Sequence, residues 1–128
     1  LLQADGVLLT RVLVNLLENA VNYTPEGSLI SVSLSKNDEN VLFEVNDNGP
    51  GIPEENLPHI FERFYPHPAK AYGGRRSTGL GLSLCKSIVE AHGGRIMLSN
   101  NKPHGTKVQF WIPVKEVPSD AALNSDSR

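Results

Sequence analysis

The stretch DGVLLTRVLVNLLENAVNYTP, residues 5–25, decides the fold. Its apolar residues Leu8, Leu9, Val12, Leu13, Leu16, Leu17, Ala20 and Val21 recur at i, i+3, i+4 and i+7, the period of a helix with one buried face. Asp5 is placed to cap its start, and Thr24-Pro25-Glu26-Gly27 stops it. Asn15, Asn19 and Tyr23 stand four residues apart on one stripe of this helix, with Asn22 beside them. The stripe borders the apolar arc instead of lying opposite it. Amides at the edge of a core need hydrogen-bond partners to offset their desolvation, and asparagine is a weak helix former, so this clustering argues for a use. An amide oxygen is a hard donor suited to Mg²⁺. Taken alone, the stripe is equally a solvated face with caps.

Outward from this helix, residues 28–35 alternate (Leu29, Ile30, Val32, Leu34), and so do residues 41–45. The polar segment between them predicts a β-hairpin. Residues 47–53 read as a loop and 53–64 as a short helix. Residues 65–77 hold two prolines, two glycines and the pair Arg75-Arg76 with no apolar period, which is a long functional loop. A second helix is predicted over 81–92, ended by Gly93-Gly94. Residues 95–99 and 107–113 form a closing hairpin. The order predicts an α/β two-layer sandwich, its mostly antiparallel mixed sheet covered on one face by helices.

The chain has 128 residues, room for one domain with a real core. Its 39% hydrophobic and 20% charged residues are ordinary for a globular protein. A net charge of −2 supplies no basic field, so no nucleic-acid partner is expected. The single cysteine, Cys85, excludes an internal disulfide and reads as a small buried hydrophobe. No apolar run is long enough to span a membrane. The abrupt start without an initiator Met reads as a fragment whose ordered domain covers 1–117, with a polar tail at 118–128.

Two glycine-rich segments could carry chemistry. In DNGPGI (47–52) the glycines permit close approach of a ligand to the backbone, and an aspartate at a strand end can accept from an exocyclic amino group. Alone, such a segment is more often a plain turn. In STGLGL (77–82) glycines open a helix, where backbone N–H groups at the positive end of the dipole suit a phosphate. No Lys-Ser/Thr pair follows as in a P-loop, and neither the preceding strand nor the later acid of a dinucleotide site is present. Alone it is as consistent with an ordinary capped helix.

Together and in this order the segments are far more specific. NLLENAVNYTP (15–25) resembles the N box of sensor histidine kinases, DNGPGI the G1 box, FERFY (61–65) the F box, TGLGL (78–82) the G2 box and HGT (104–106) a shortened G3 box. The resemblance covers about residues 5–114, and the form of the first helix and of DNGPG is similar to the potassium-responsive, KdpD-like branch. It implies the Bergerat-type ATP-binding fold, with Mg²⁺ and ATP as cofactors. By resemblance, Asn19 coordinates the Mg²⁺ and Asn15 supports the phosphate end, with Asn22 close by. Tyr23 packs on the adenine, Asp47 accepts its amino hydrogen, Gly49, Gly51 and Ile52 shape the base pocket, and Thr106 lines it. Thr78, Gly79, Leu80, Gly81 and Leu82 present backbone amides to the phosphates. Phe61 and Phe64 anchor the lid, and Arg75 or Arg76 reaches the γ-phosphate.

The implied reaction is transfer of the γ-phosphate to a histidine on a separate dimerisation and phosphoacceptor domain of the same kinase, then to a response regulator. The implied parent is membrane-anchored with this domain on the cytoplasmic side. His59, His67, His92 and His104 lack the phosphoacceptor context, and His92 reads as a helix-capping residue. Two departures matter. The family commonly has lysine where Asn22 stands, so weaker nucleotide binding or more reliance on Arg75 and Arg76 is expected. The related gyrase, Hsp90 and MutL type of ATPase has glutamate where Asn15 stands; an amide cannot take a proton from water, which favours a kinase over the alternative, an ATPase coupling hydrolysis to clamp closure. A serine-phosphorylating relative and a nucleotide sensor without chemistry are further alternatives. Elements preceding Leu1 in the family would leave a sheet edge open in this fragment, so an oligomer of it is expected to be an artefact of truncation.

Overall fold

A computed structural model describes residues 5–66, 68 and 81–114. Helix α1 (Gly6–Asn22) starts where expected: the Asp5 carboxylate accepts from the Leu8 N–H at 3.1 Å. Strands β1 (Ile30–Lys36) and β2 (Asn40–Asp47) form the first hairpin, α2 (Gly81–Ala91) follows, and β3 (Arg95–Asn100) and β4 (Thr106–Pro113) close the chain of elements. At the end of α2, Gly93 takes φ +79°. Its N–H donates to the Glu90 carbonyl while that of Gly94 donates to Val89, the paired bonds that finish a helix on a left-handed glycine. His92 is the capping residue the sequence suggests. Its Nδ1 donates to the Ile88 carbonyl at 2.8 Å and its Nε2 accepts the Asp5 N–H at 3.1 Å, tying the end of α2 to the start of α1.

The predicted short helix over 53–64 is instead a 3₁₀ turn, Glu54–His59, followed by separate turns. Pro58 lies inside it, and a proline has no N–H to extend an α-helical ladder. Asp47, placed in a loop by the sequence, is the last residue of β2.

The sheet order is β1-β2-β4-β3, and every pairing among the described strands is antiparallel. Residues directly opposite one another share a face, so the register sorts the inner face into rows. One row is Leu34, Phe43, Phe110 and Ile96; the next is Val32, Val45, Val108 and Leu98; the last is Ile30, Asp47, Thr106 and Asn100. Both helices pack on this face, with Leu9, Val12 and Leu16 of α1 and Cys85, Ile88 and Val89 of α2 meeting Val45, Phe110 and Ile112. Phe43 and Phe110 stack with ring centroids 4.5 Å apart.

The helical layer stops short of β1. Val32 and Leu34 face the same way as the core yet remain 51% and 64% exposed. On α1, Val7, Val14 and Val21 form an exposed flank on the side away from the asparagines, so the apolar arc is wider than the face that is covered.

Candidate functional site

The inner face turns from apolar to polar at its last row, and there α1 and the sheet border a cleft open to solvent. Leu16, Ala20, Val45 and Val108 make its apolar walls. Asn19, Tyr23, Asp47, Gly51 and Thr106 supply its polar and aromatic lining. Five residues singled out in the sequence therefore meet in one place, brought from the last turns of α1, the end of β2, the loop after it and the start of β4.

Asp47 is the best-determined group in the cleft. Its Oδ1 accepts the N–H of Gly49 at 2.9 Å and that of Thr106 at 3.2 Å. Burial pushes its carboxyl above the usual aspartate range, and these two N–H donors offset the rise only in part. The other oxygen, Oδ2, has no protein partner among the described residues. A ligand N–H donor is the natural complement to an acceptor held in this way.

The backbone around Asp47 leaves no room for larger residues. A Cβ on Gly105 would lie 2.1 Å from the Asp47 carbonyl oxygen, and Gly105 has φ +120°. Gly49 is buried behind Asp47 against Thr24 and does not line the cleft. Thr24 donates to the Ala20 carbonyl at 2.7 Å, closing the end of α1 beneath it.

The two asparagines one turn apart have different surroundings. The Asn19 amide lines the cleft and makes no side-chain hydrogen bond among the described residues. Asn15 stands beside the Cys85 thiol of α2 and, against the larger effect of burial, lowers its pKa slightly. Burial pushes that thiol up to about 11, so it is a neutral S–H, and it donates weakly to the Val12 carbonyl at 3.7 Å. Asn15 thus sits where the two helices meet and is not among the residues that line this cleft. Asn22 is partly exposed outside the lining, and Ile52 is buried beneath it.

Phe64 is 65% exposed with φ 63°, the Arg63 guanidinium 5.4 Å from its ring centre, and is not brought into the cleft. Gly81 and Leu82 open α2, where Leu82 packs on the core. Arg75, Arg76, Thr78, Gly79 and Leu80 lie outside the described residues. The sequence did not single out Leu16, Ala20, Val45 and Val108 as site residues, because their only signal is the periodicity that also marks a core. Asn100 and Asn101, which brace the cleft, were missed as well.

The donor set suits a nucleotide with a divalent cation. No group of three or more His, Cys, Asp and Glu side chains converges among the described residues. A cation here would depend on a single amide oxygen and on the ligand's own phosphates, the habit of Mg²⁺.

Comparison with known proteins agrees with this chemistry. Residues 4–116 match the family described as histidine kinase-, DNA gyrase B-, and HSP90-like ATPase, and the chain belongs to that family. Within it, the likeness is to sensor histidine kinases. The chain is 46% identical to the sensor protein KdpD of Clostridium acetobutylicum over 109 residues, 85% of this chain and 12% of that protein's length. The mycobacterial sensor histidine kinase MprB superposes with a TM-score of 0.79 at 29% identity, over 91% of this chain and 78% of that one. The histidine kinase ThkA, solved in complex with the response regulator protein TrrA, superposes with a TM-score of 0.72 at 34% identity, over 89% of this chain and 30% of that one.

Proposed function

We propose that the cleft binds Mg-ATP and presents its γ-phosphate to a histidine on a separate dimerisation and phosphoacceptor domain of the same two-component kinase. The observation that carries this is Asp47, with one oxygen pinned by two N–H groups and the other available at the base of an apolar slot. An adenine ring would lie along that slot, against Leu16, Ala20, Val45 and Val108, with its amino group donating to Asp47. Asn19 would hold the Mg²⁺, which neutralises phosphate charge as the leaving group departs.

Transfer requires a histidine ring nitrogen to attack the γ-phosphorus in line while the bond to the β-bridging oxygen breaks and ADP leaves. This chain's own residues would orient the nucleotide, and the histidines among the described residues are engaged elsewhere. His59 is paired with Glu62 at 2.7 Å, His92 caps α2, and His104 Nδ1 faces the Gly49 carbonyl at 3.1 Å. His67 lies outside the described residues. Asn15, an amide, offers no base for water, which disfavours the clamp-type ATPase.

The solved complex of ThkA with TrrA supports a response regulator as the onward acceptor. A membrane-anchored parent with this domain in the cytoplasm is part of the same proposal; among the described residues no helix is long and apolar enough to cross a membrane. Self-association of the isolated chain would follow from β1, whose outer edge has no strand neighbour among the described residues, and not from the kinase's own dimer.

The test is incubation with γ-labelled ATP. The chain alone should bind ATP and stay unlabelled, and adding the phosphoacceptor hairpin of its own kinase should yield acid-labile label on the hairpin. Label on the chain alone, or rapid release of inorganic phosphate without transfer, would overturn the proposal.

A further inference from the structure

We infer that Asn100 is a positioning residue that sets how selectively the cleft takes an adenine base, a proposal that rests on the nucleotide reading above. Asn100 ends β3 in the same inner-face row as Asp47 and Thr106. Its amide makes two hydrogen bonds to one residue across the site. Oδ1 accepts the Ile52 N–H at 2.7 Å, and Nδ2 donates to the Ile52 carbonyl at 2.6 Å. A side-chain amide carries the same donor and acceptor as a peptide group, so Asn100 serves the loop after β2 as a strand neighbour would.

Before Pro50 the loop is tied by Asn48, bonded to Leu29, and by the Gly49 carbonyl, which faces His104 Nδ1; at its far end the Asn100 amide holds it. Pro50 and Pro53 have no N–H to give. Ile52 is 3% exposed, so its side chain anchors the loop in the interior while Asn100 anchors its peptide groups. Gly51, directly before Ile52, is the part of the loop that lines the cleft. It has φ +80°, and a Cβ there would lie 3.0 Å from the Asn100 oxygen and 3.2 Å from the Gly105 carbonyl. The Gly51 wall is thus seated directly on Asn100.

Asn101 braces the opposite side. Its Nδ2 donates to Asn46 Oδ1 at 3.0 Å and to the Thr106 carbonyl at 3.2 Å, holding the end of β2 to β4. The two neighbouring amides therefore fix the separation between Asp47 and Gly51, and that separation decides which base edge fits. Adenine presents an amino donor to Asp47, whereas guanine presents a carbonyl oxygen that the carboxylate repels. A loosened Gly51 wall lets a base shift away from Asp47, so binding weakens and discrimination narrows. Contacts to the phosphates do not pass through Asn100.

The test is calorimetric titration of the 128-residue chain with Mg-ATP, Mg-GTP and inorganic tripolyphosphate, for the unaltered protein, Asn100→Ala and Asn100→Asp. Asn100→Asp keeps the shape and the acceptor but loses the donor to Ile52, so it decides the matter if Asn100→Ala does not fold. Losing one or both bonds should weaken ATP by about tenfold and shrink the ATP-over-GTP preference, with tripolyphosphate changed by less than about twofold. A residue that only supports the fold would weaken all three ligands together, and that result would overturn the positioning role. So would unchanged ATP affinity and unchanged preference in either folded variant. Failure of the unaltered chain to bind ATP would instead remove the proposed function, and this inference with it.

Discussion

Asp47→Asn changes one atom and separates binding from folding. In the folded chain Oδ1 accepts from Gly49 and Thr106, and an asparagine oxygen can accept both bonds unchanged. The other position becomes an NH₂, which would face the amino group of an adenine, donor against donor. A hydrogen bond to a charged acceptor contributes about 1.5–3 kcal/mol, and the cleft is open to solvent, so a loss of about 2 kcal/mol is expected. That corresponds to roughly 30-fold weaker ATP binding. Tripolyphosphate, which has no base, should bind both forms alike.

Stability should move the other way. Burial raises the Asp47 carboxyl in the folded chain, so the folded state holds this proton more tightly than the unfolded state does. For such a group the stabilising contribution is fully present below the ordinary aspartate range and is lost as pH rises through the raised folded value. At neutral pH the ionised carboxylate therefore costs stability. Asp47→Asn should unfold at an equal or higher temperature there, and its advantage should vanish in acid. The assays are calorimetric titration and thermal unfolding monitored by circular dichroism. ATP affinity within about threefold of the unaltered protein, against the roughly 30-fold expected from a lost charged bond, would refute the reasoning. A lower melting temperature at neutral pH would refute its second half.

Asn19→Ala should remove the dependence on the cation, so that ATP affinities measured with Mg²⁺ and with a chelator become equal. Asn22→Lys adds a cation beside the cleft and should strengthen ATP binding by roughly three- to tenfold at low ionic strength, declining as salt screens it; no gain at moderate salt would count against a phosphate-side location. Phe110 is fully buried and stacked on Phe43, so Phe110→Ala should cost about 3–5 kcal/mol in urea unfolding. Leu34→Ser, in the same inner-face row but 64% exposed, should stay within about 0.5 kcal/mol.

The contrast between Phe110 and Leu34 also shows what a sequence can and cannot tell. Alternation marks Leu34 as part of one strand face, and the register sets it in the row of Phe110. Whether that face is covered depends on where the helices lie, which no local pattern records. The same limit applies to Val7, Val14 and Val21 on α1. Local signals were reliable where the chemistry is local: Asp5 at the start of α1, the glycine pair after α2 and the capping role of His92 are all bonded as their residue types suggest. The span 53–64 is not a continuous helix because Pro58 has no N–H for the ladder, a break that the spacing of the apolar residues does not show. Asn100 was hidden for a different reason. Its partner Ile52 is 48 residues away in sequence, and only the pairing of β3 with β4 brings it into the row of Asp47 and Thr106.

Asn15 and Asn19 carry this lesson into mechanism. Helical spacing puts them on one stripe and predicts one shared use. The structure distinguishes them: Asn15 stands beside the buried Cys85 thiol of α2, while Asn19 lines the cleft. A glutamate in place of Asn15 would set a carboxylate beside a buried thiol, in surroundings that already push that thiol up to about 11. The position one turn before Asn19 sits where α1 meets α2 and carries an amide, which cannot take a proton from water; under the proposed function, that is part of why the γ-phosphate is kept for a histidine.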